Sequence, residues 1–269
     1  MSLELILVFI LGLVIGSFLN CVLYRSNQKE SFLKGRSYCP NCQHTLEWYD
    51  LIPLLSFLFL GGRCRYCHKK ISWQYPVVEA ITGLVFVFIY NYFKINLLEQ
   101  GFSYNFYQVI FYWLITLIFV LIFVYDLKYY LILDKFIIAG IVCVLVWQGL
   151  NYSLGLLSFK EWLTYFYSGL GAALFFFCFW FFSRGQAMGF GDVKLAFFLG
   201  LLLGFPNILL AIFIGSVLGA IIGLILVGTK KKKIKSAVPF GPFLVVGSFA
   251  TIFYGSEIFN WYLSLSLIK

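Results

Sequence analysis

Eight long apolar runs follow one another along this chain, at about residues 3–24, 77–93, 106–125, 134–151, 162–182, 193–206, 208–228 and 238–265. Lipid offers no partner for an open backbone amide or carbonyl, so each run is expected to be a helix. Most reach the roughly 17–25 residues that a bilayer requires. The sixth is shorter, and its start is expected to be recessed into the membrane. Charged residues make up only 12% of the chain, against about 25% in soluble domains. The expectation is an all-α polytopic membrane protein of about eight transmembrane helices. The first run, Leu3–Leu23, lacks a basic leader and a small-residue cleavage site, and Glu4 precedes its core. It reads as a retained span rather than a signal peptide.

A net charge of +9 would raise nucleic acid as a partner for a soluble protein, but the positions of the charges argue against it. Arg25, Lys29, Lys34, Arg36, Arg63, Arg65, Lys69 and Lys70 crowd one loop, and Lys230–Lys233 with Lys235 crowd another. Lys128, Lys135, Arg184 and Lys194 fall on the same side of the expected topology. Of the 20 basic residues only Lys94, Lys160 and Lys269 fall opposite. Basic loops stay in the cytoplasm, so the loop carrying Cys39–Cys67 is expected there, with both termini outside. The partner implied is membrane lipid, not nucleic acid.

That loop contains Cys39-Pro40-Asn41-Cys42 and, after 21 residues, Cys64-Arg65-Tyr66-Cys67. Two C-x2-C knuckles at this spacing suit tetrahedral zinc, and a loop with little apolar content gains a fold from a metal cross-link. The other reading, two disulfides or free thiols, suits a cytoplasmic loop poorly. Four sulfurs leave no open position, so the expected zinc is structural. His44 and His68 lie one or two residues beyond a cysteine and read as bystanders, though either could replace a ligand. Cys21, Cys143 and Cys178 sit in apolar runs and read as buried small hydrophobes. Between the knuckles, residues 51–60 form an apolar stretch too short to span. It reads as an interfacial or re-entrant segment holding the loop against the membrane.

Two acids interrupt this pattern. Asp126 ends the run Val109–Tyr125, and Asp192 sits in Gly189-Phe190-Gly191-Asp192 between two apolar segments. A carboxylate there is a functional group by default. Both fall at the cytoplasmic edge in the expected topology. The two histidines both lie in the cysteine loop, so no serine–histidine arrangement and no His-Glu-x-x-His exists. Two facing carboxyl groups can hydrolyse a peptide if one is ionised and the other protonated, a split that like charges at close range enforce. Asp134 is expected to be the N-cap of the fourth helix. Lys128 and Lys194 either orient the acids or substrate, or anchor at the interface.

With these residues in place the chain resembles the type IV prepilin peptidases, bifunctional leader peptidase/N-methyltransferases. The resemblance runs from Gly16-Ser17-Phe18-Leu19-Asn20 and Tyr24-Arg25, through the knuckles with Trp48, Ile52-Pro53 and Gly62-Arg63-Cys64, to Ile71-Ser72 and Tyr75-Pro76 with Glu79. It continues through Asp126, the Gly189–Lys194 block and Val238-Pro239-Phe240-Gly241-Pro242-Phe243. One departure is Leu131-Ile132-Leu133-Asp134, where the family usually carries Leu/Ile-Pro-Asp after the first acid. The resemblance implies that Asp126 and Asp192 cleave the leader of type IV prepilins or pseudopilins at the bacterial inner membrane. It also implies methylation of the new amino terminus with S-adenosylmethionine, associated with residues 1–76, beside a peptidase domain at 77–269. Glu79 is a candidate for a polar role in the first region. A peptidase without methylation is the nearest alternative. An ion-coupled transporter is more remote, because it would place acids deeper in the spans.

Overall fold

The computed structural model describes residues 3–31, 35–95, 102–186, 188–229 and 238–267. Among the described residues the secondary structure is helical, without a β-strand. The elements are α1 (Leu3–Gln28), a 3₁₀ turn (Trp48–Leu51), α2 (Leu55–Phe59), α3 (Gln74–Ile95), α4 (Phe102–Tyr129), α5 (Asp134–Ser153), α6 (Phe159–Phe182), α7 (Phe190–Leu203), α8 (Asn207–Gly228) and α9 (Gly241–Leu267). Seven of the nine described α-helices, all but α2 and α7, are long and apolar enough to cross a membrane. The protein is a multi-pass membrane protein. The expected apolar runs all appear, and the sixth is the short one, at 14 residues or about 21 Å. Lys230–Lys233 and Lys235 lie outside the described residues.

The chain separates into two compact units, Met1–Leu121 and Ile122–Lys269, with the boundary inside α4. In the first, α1 and α3 pack so closely that a β-carbon at Gly16 would lie 2.8 Å from Glu79 Cα. Small residues at such crossings let membrane helices approach and pack by van der Waals contact. The Trp113 indole donates to the Phe86 carbonyl at 3.1 Å, and the two rings stack, which binds the first part of α4 to α3.

In the second unit α7 is the core. Asp192, Val193, Leu195, Ala196, Phe198, Leu199, Gly200, Leu201 and Leu203 are all buried. These are nine of its 14 residues. Gly200 meets Gly169 of α6, where a β-carbon would lie 2.6 Å from the facing Cα. Gln148 of α5 donates to the Leu201 carbonyl at 2.8 Å. A helix shorter than the bilayer is tolerated because protein, not lipid, surrounds it. Glycine at 204, φ +68°, ends it. On α6, Ser158 and Glu161 form a reciprocal cap.

Candidate active site and metal centre

Asp126 and Asp192 lie in the second unit, at the last turn of α4 and the first turn of α7. They are 5% and 8% exposed. Asp126 Oδ2 accepts the Gly241 amide at 3.1 Å. Gly241 opens α9, so this bond ties the C-terminal end of α4 to the N-terminal end of α9. A β-carbon at position 241 would lie 2.6 Å from the same oxygen, which restricts the position to glycine. Ile132, buried in the link between α4 and α5, fills the space beside both acids' supports. It would meet a β-carbon at Gly191 and one at Gly241, each at 3.1 Å. Phe240 packs on Phe176 of α6 with ring centroids 5.9 Å apart. The Gly-x-Gly-Asp and Pro-Phe-Gly-Pro blocks, distant in sequence, thus build one site. The motif flagged Gly241, but its amide as a partner of Asp126 was not legible without the fold.

The link after Asp126 differs from expectation. Asp134 is the first residue inside α5, and the N-cap position is Leu133, which has no side chain able to cap. Asp134 still favours the helix by its charge in the first turn. Its carboxylate accepts the Lys194 ammonium at 2.7 Å, joining α5 to α7. Leu133 has φ −77°, close to the value proline would impose, so the missing proline is replaced by a residue in similar backbone geometry. Lys194 also lies over the Phe190 ring, and Lys128 over Tyr129.

In the first unit, the sulfurs of Cys39, Cys42, Cys64 and Cys67 all lie within 4.8 Å of one another, and all four are free thiols. Cys39 and Cys67 Sγ are 3.9 Å apart. Zinc–sulfur bonds of about 2.3 Å in a tetrahedron set sulfurs about 3.8 Å apart, so the cluster fits that ion. The knuckles repeat one geometry, which the sequence had not revealed as a repeat. Each first cysteine donates its amide five residues on, Cys39 to the His44 carbonyl and Cys64 to that of Lys69. The residue after each second cysteine, Gln43 or His68, has a left-handed backbone near φ +60°. Burial disfavours the Cys39 thiolate, but hydrogen bonds from the Cys42 and Asn41 amides and neighbouring sulfurs outweigh it and bring the thiol down to about 7. At Cys42 the His44 amide favours the thiolate, yet burial and the Cys39 and Cys67 sulfurs push the thiol up to about 11.

The histidines are bystanders to this cluster. His44 packs on the Tyr66 ring at 3.6 Å between centroids, holding one knuckle against the other. Asp50, which sequence reasoning missed, is the polar pin of the module. Its carboxylate accepts Arg65 at 2.8 Å, the Tyr66 hydroxyl at 3.0 Å and the Glu47 amide at 3.3 Å. Burial opposes its charge, but these three donors hold its carboxyl below the usual range. Buried Arg25 ends α1 and donates to the carbonyls of Ser31, Gly35 and Arg36, organising the chain that enters the first knuckle.

Fold and site thus describe a polytopic membrane protein with ionisable groups buried on its helices, a pattern of function rather than of packing. Residues 10–93 match the bacterial peptidase A24 N-terminal domain and residues 113–224 the type IV leader peptidase family. A Bacillus subtilis relative is 31% identical over 97% of this chain and 98% of its own length. A Pectobacterium carotovorum relative is 30% identical over 88% of each chain. A Myxococcus xanthus relative is 33% identical over 82% of this chain, which spans 63% of that longer protein. All three are named prepilin leader peptidase/N-methyltransferase. No solved structure matches with significance. The chain belongs to the type IV leader peptidase family, and its enzyme class is the aspartic-type membrane peptidase.

Proposed function

We propose that this enzyme cleaves the leader peptide of a type IV prepilin or pseudopilin and then methylates the new amino terminus. Asp126 and Asp192 are the catalytic pair. The observation that carries this reading is the placement of two buried carboxyl groups from different helices beside one shared support, Ile132, which packs against Gly191 next to Asp192 and against Gly241, whose amide bonds Asp126. One, ionised, takes a proton from water as its oxygen attacks the scissile carbonyl. The other, protonated, donates to the carbonyl oxygen. The carbon–nitrogen bond then breaks and the leaving nitrogen receives a proton. The Gly241 amide fixes one oxygen of Asp126 and so orients its carboxyl group.

The amine released by cleavage is the nucleophile of the second step. S-adenosylmethionine, when bound, would supply the methyl group to that nitrogen, which would lose a proton. We associate this step with residues 1–76 and cleavage with 77–269, a division of chemistry rather than of packing. Cys39, Cys42, Cys64 and Cys67 would hold zinc, which would supply a cross-link for the module rather than an open coordination position. The basic module faces the cytoplasm of the inner membrane in this reading. The substrate's apolar helix stays in lipid, and its basic leader stays outside it.

Co-expression with a prepilin, followed by mass analysis of the mature amino terminus, tests both activities. Cleaved and methylated product is expected. Cleaved but unmodified product with ample S-adenosylmethionine would reduce the enzyme to a peptidase, and uncleaved substrate would reject the proposal.

A further inference from the structure

Glu79 is a buried carboxyl group with no part in the proposed cleavage. Its Oε2 accepts the Leu54 amide at 2.9 Å. Glu79 lies five residues into α3, which begins at Gln74. Five residues advance about 7.5 Å along a helix. The bond therefore holds Leu54, and α2 immediately after it, against the first two turns of a membrane-spanning helix. Leu54 itself has φ +58°, a conformation leucine keeps only where its surroundings impose it.

This short segment presents an apolar face that none of the described residues covers. Phe59 is 86% exposed and Leu58 69%, with Leu55 half-exposed. Trp48 and Trp73 flank them at 73% and 71%. Trp73 directly precedes α3, so covalent continuity sets it at the membrane edge, the depth tryptophan favours. Arg63, Lys69 and Lys70 are also exposed on the same module, as an anionic headgroup layer would require.

We propose that Trp48, Leu55, Leu58, Phe59 and Trp73 form a docking surface for an anionic bilayer, seated at the boundary of headgroups and acyl chains, and that Glu79 is the positioning residue that latches it at that depth. The depth set by the Glu79–Leu54 bond favours lipid as the occupant over a second copy of the chain or a substrate helix.

The test uses the full-length chain with photoreactive benzoylphenylalanine in place of Phe59. It is reconstituted in vesicles of phosphatidylethanolamine and phosphatidylglycerol with prepilin present. Irradiation should give lipid adducts at position 59, and the same label in place of exposed Gln43 should give none. Adducts to prepilin or to another copy of the chain, or equal lipid labelling at both positions, would overturn the surface. For the latch, Glu79→Gln keeps an acceptor and should retain the adduct yield. Glu79→Leu should lower it about tenfold, the loss of the acceptor for a buried amide. Equal yields from the two variants would overturn it. Should Glu79→Leu fail to accumulate, hydrogen exchange in the unaltered protein decides: slow exchange at the Leu54 amide is expected, and exchange as fast as an open loop contradicts the latch.

Discussion

The cysteine module and the aspartate pair solve opposite problems. The module has small apolar content and a wide exposed surface. Its order comes from four converging sulfurs, the Asp50 pin and the His44–Tyr66 contact. The aspartates sit where helices pack closely, Asp192 on a helix with nine of its 14 residues buried, and the Gly241 contact beside Asp126 leaves no room for a methyl group. Local cross-links specify the first region, and long-range packing specifies the second. Damage to the module should thus be graded and confined, whereas sub-ångström changes near the acids should be felt in the chemistry.

The largest expected effect is at the acids. Asp126→Asn and Asp192→Asn should each lower leader cleavage by at least about 10³-fold, while zinc content and membrane insertion stay unchanged. Metal analysis beside a cleavage assay checks both halves. Next is Gly241→Ala. The added β-carbon must displace Asp126 or α9, and a shift of about 1 Å costs about 10²-fold in rate. Single-turnover cleavage should slow by that order with the substrate still bound.

The reverse experiment removes the cross-link. Replacing Cys39 and Cys64 together by serine should release the metal, one equivalent per chain in the parent protein, and abolish methylation with little loss of cleavage. Mass analysis of the product separates the two losses, and a comparable fall in cleavage would erase the contrast between the regions. The smallest effect is at Asp50. Asp50→Ala leaves the Tyr66 hydroxyl and the Glu47 amide without their acceptor, a loss of about 1–3 kcal/mol. The module should yield its metal to a chelator faster, with cleavage unaltered.

Much of this organisation was legible in the sequence because its causes are local. Apolar run length gives the spans, C-x2-C spacing gives the cluster, and an acid in an apolar setting announces itself. What was not legible depends on which surfaces meet. Nothing local marks α7 as the core, since a buried helix and a lipid-facing helix have the same composition. Asp134 has the chemistry of an N-cap, but the turn places Leu133 there and turns the Asp134 carboxylate to Lys194. Glu79 read only as an acid near a membrane edge, because its partner, the Leu54 amide, is a backbone group 25 residues away. The repeat in the knuckles was hidden because it is one of backbone geometry, with Gln43 matched to His68.

The central claim is that Asp126 and Asp192 act as one unit. Residues that act together lose nearly the whole effect when either is removed. The decisive measurement is therefore the leader-cleavage rate of Asp126→Asn, Asp192→Asn and the double variant, on protein shown to insert and to hold its metal. The same residual rate is expected for all three. A double variant slower than either single variant by the product of their separate losses, or a single variant close to the parent rate, would contradict it.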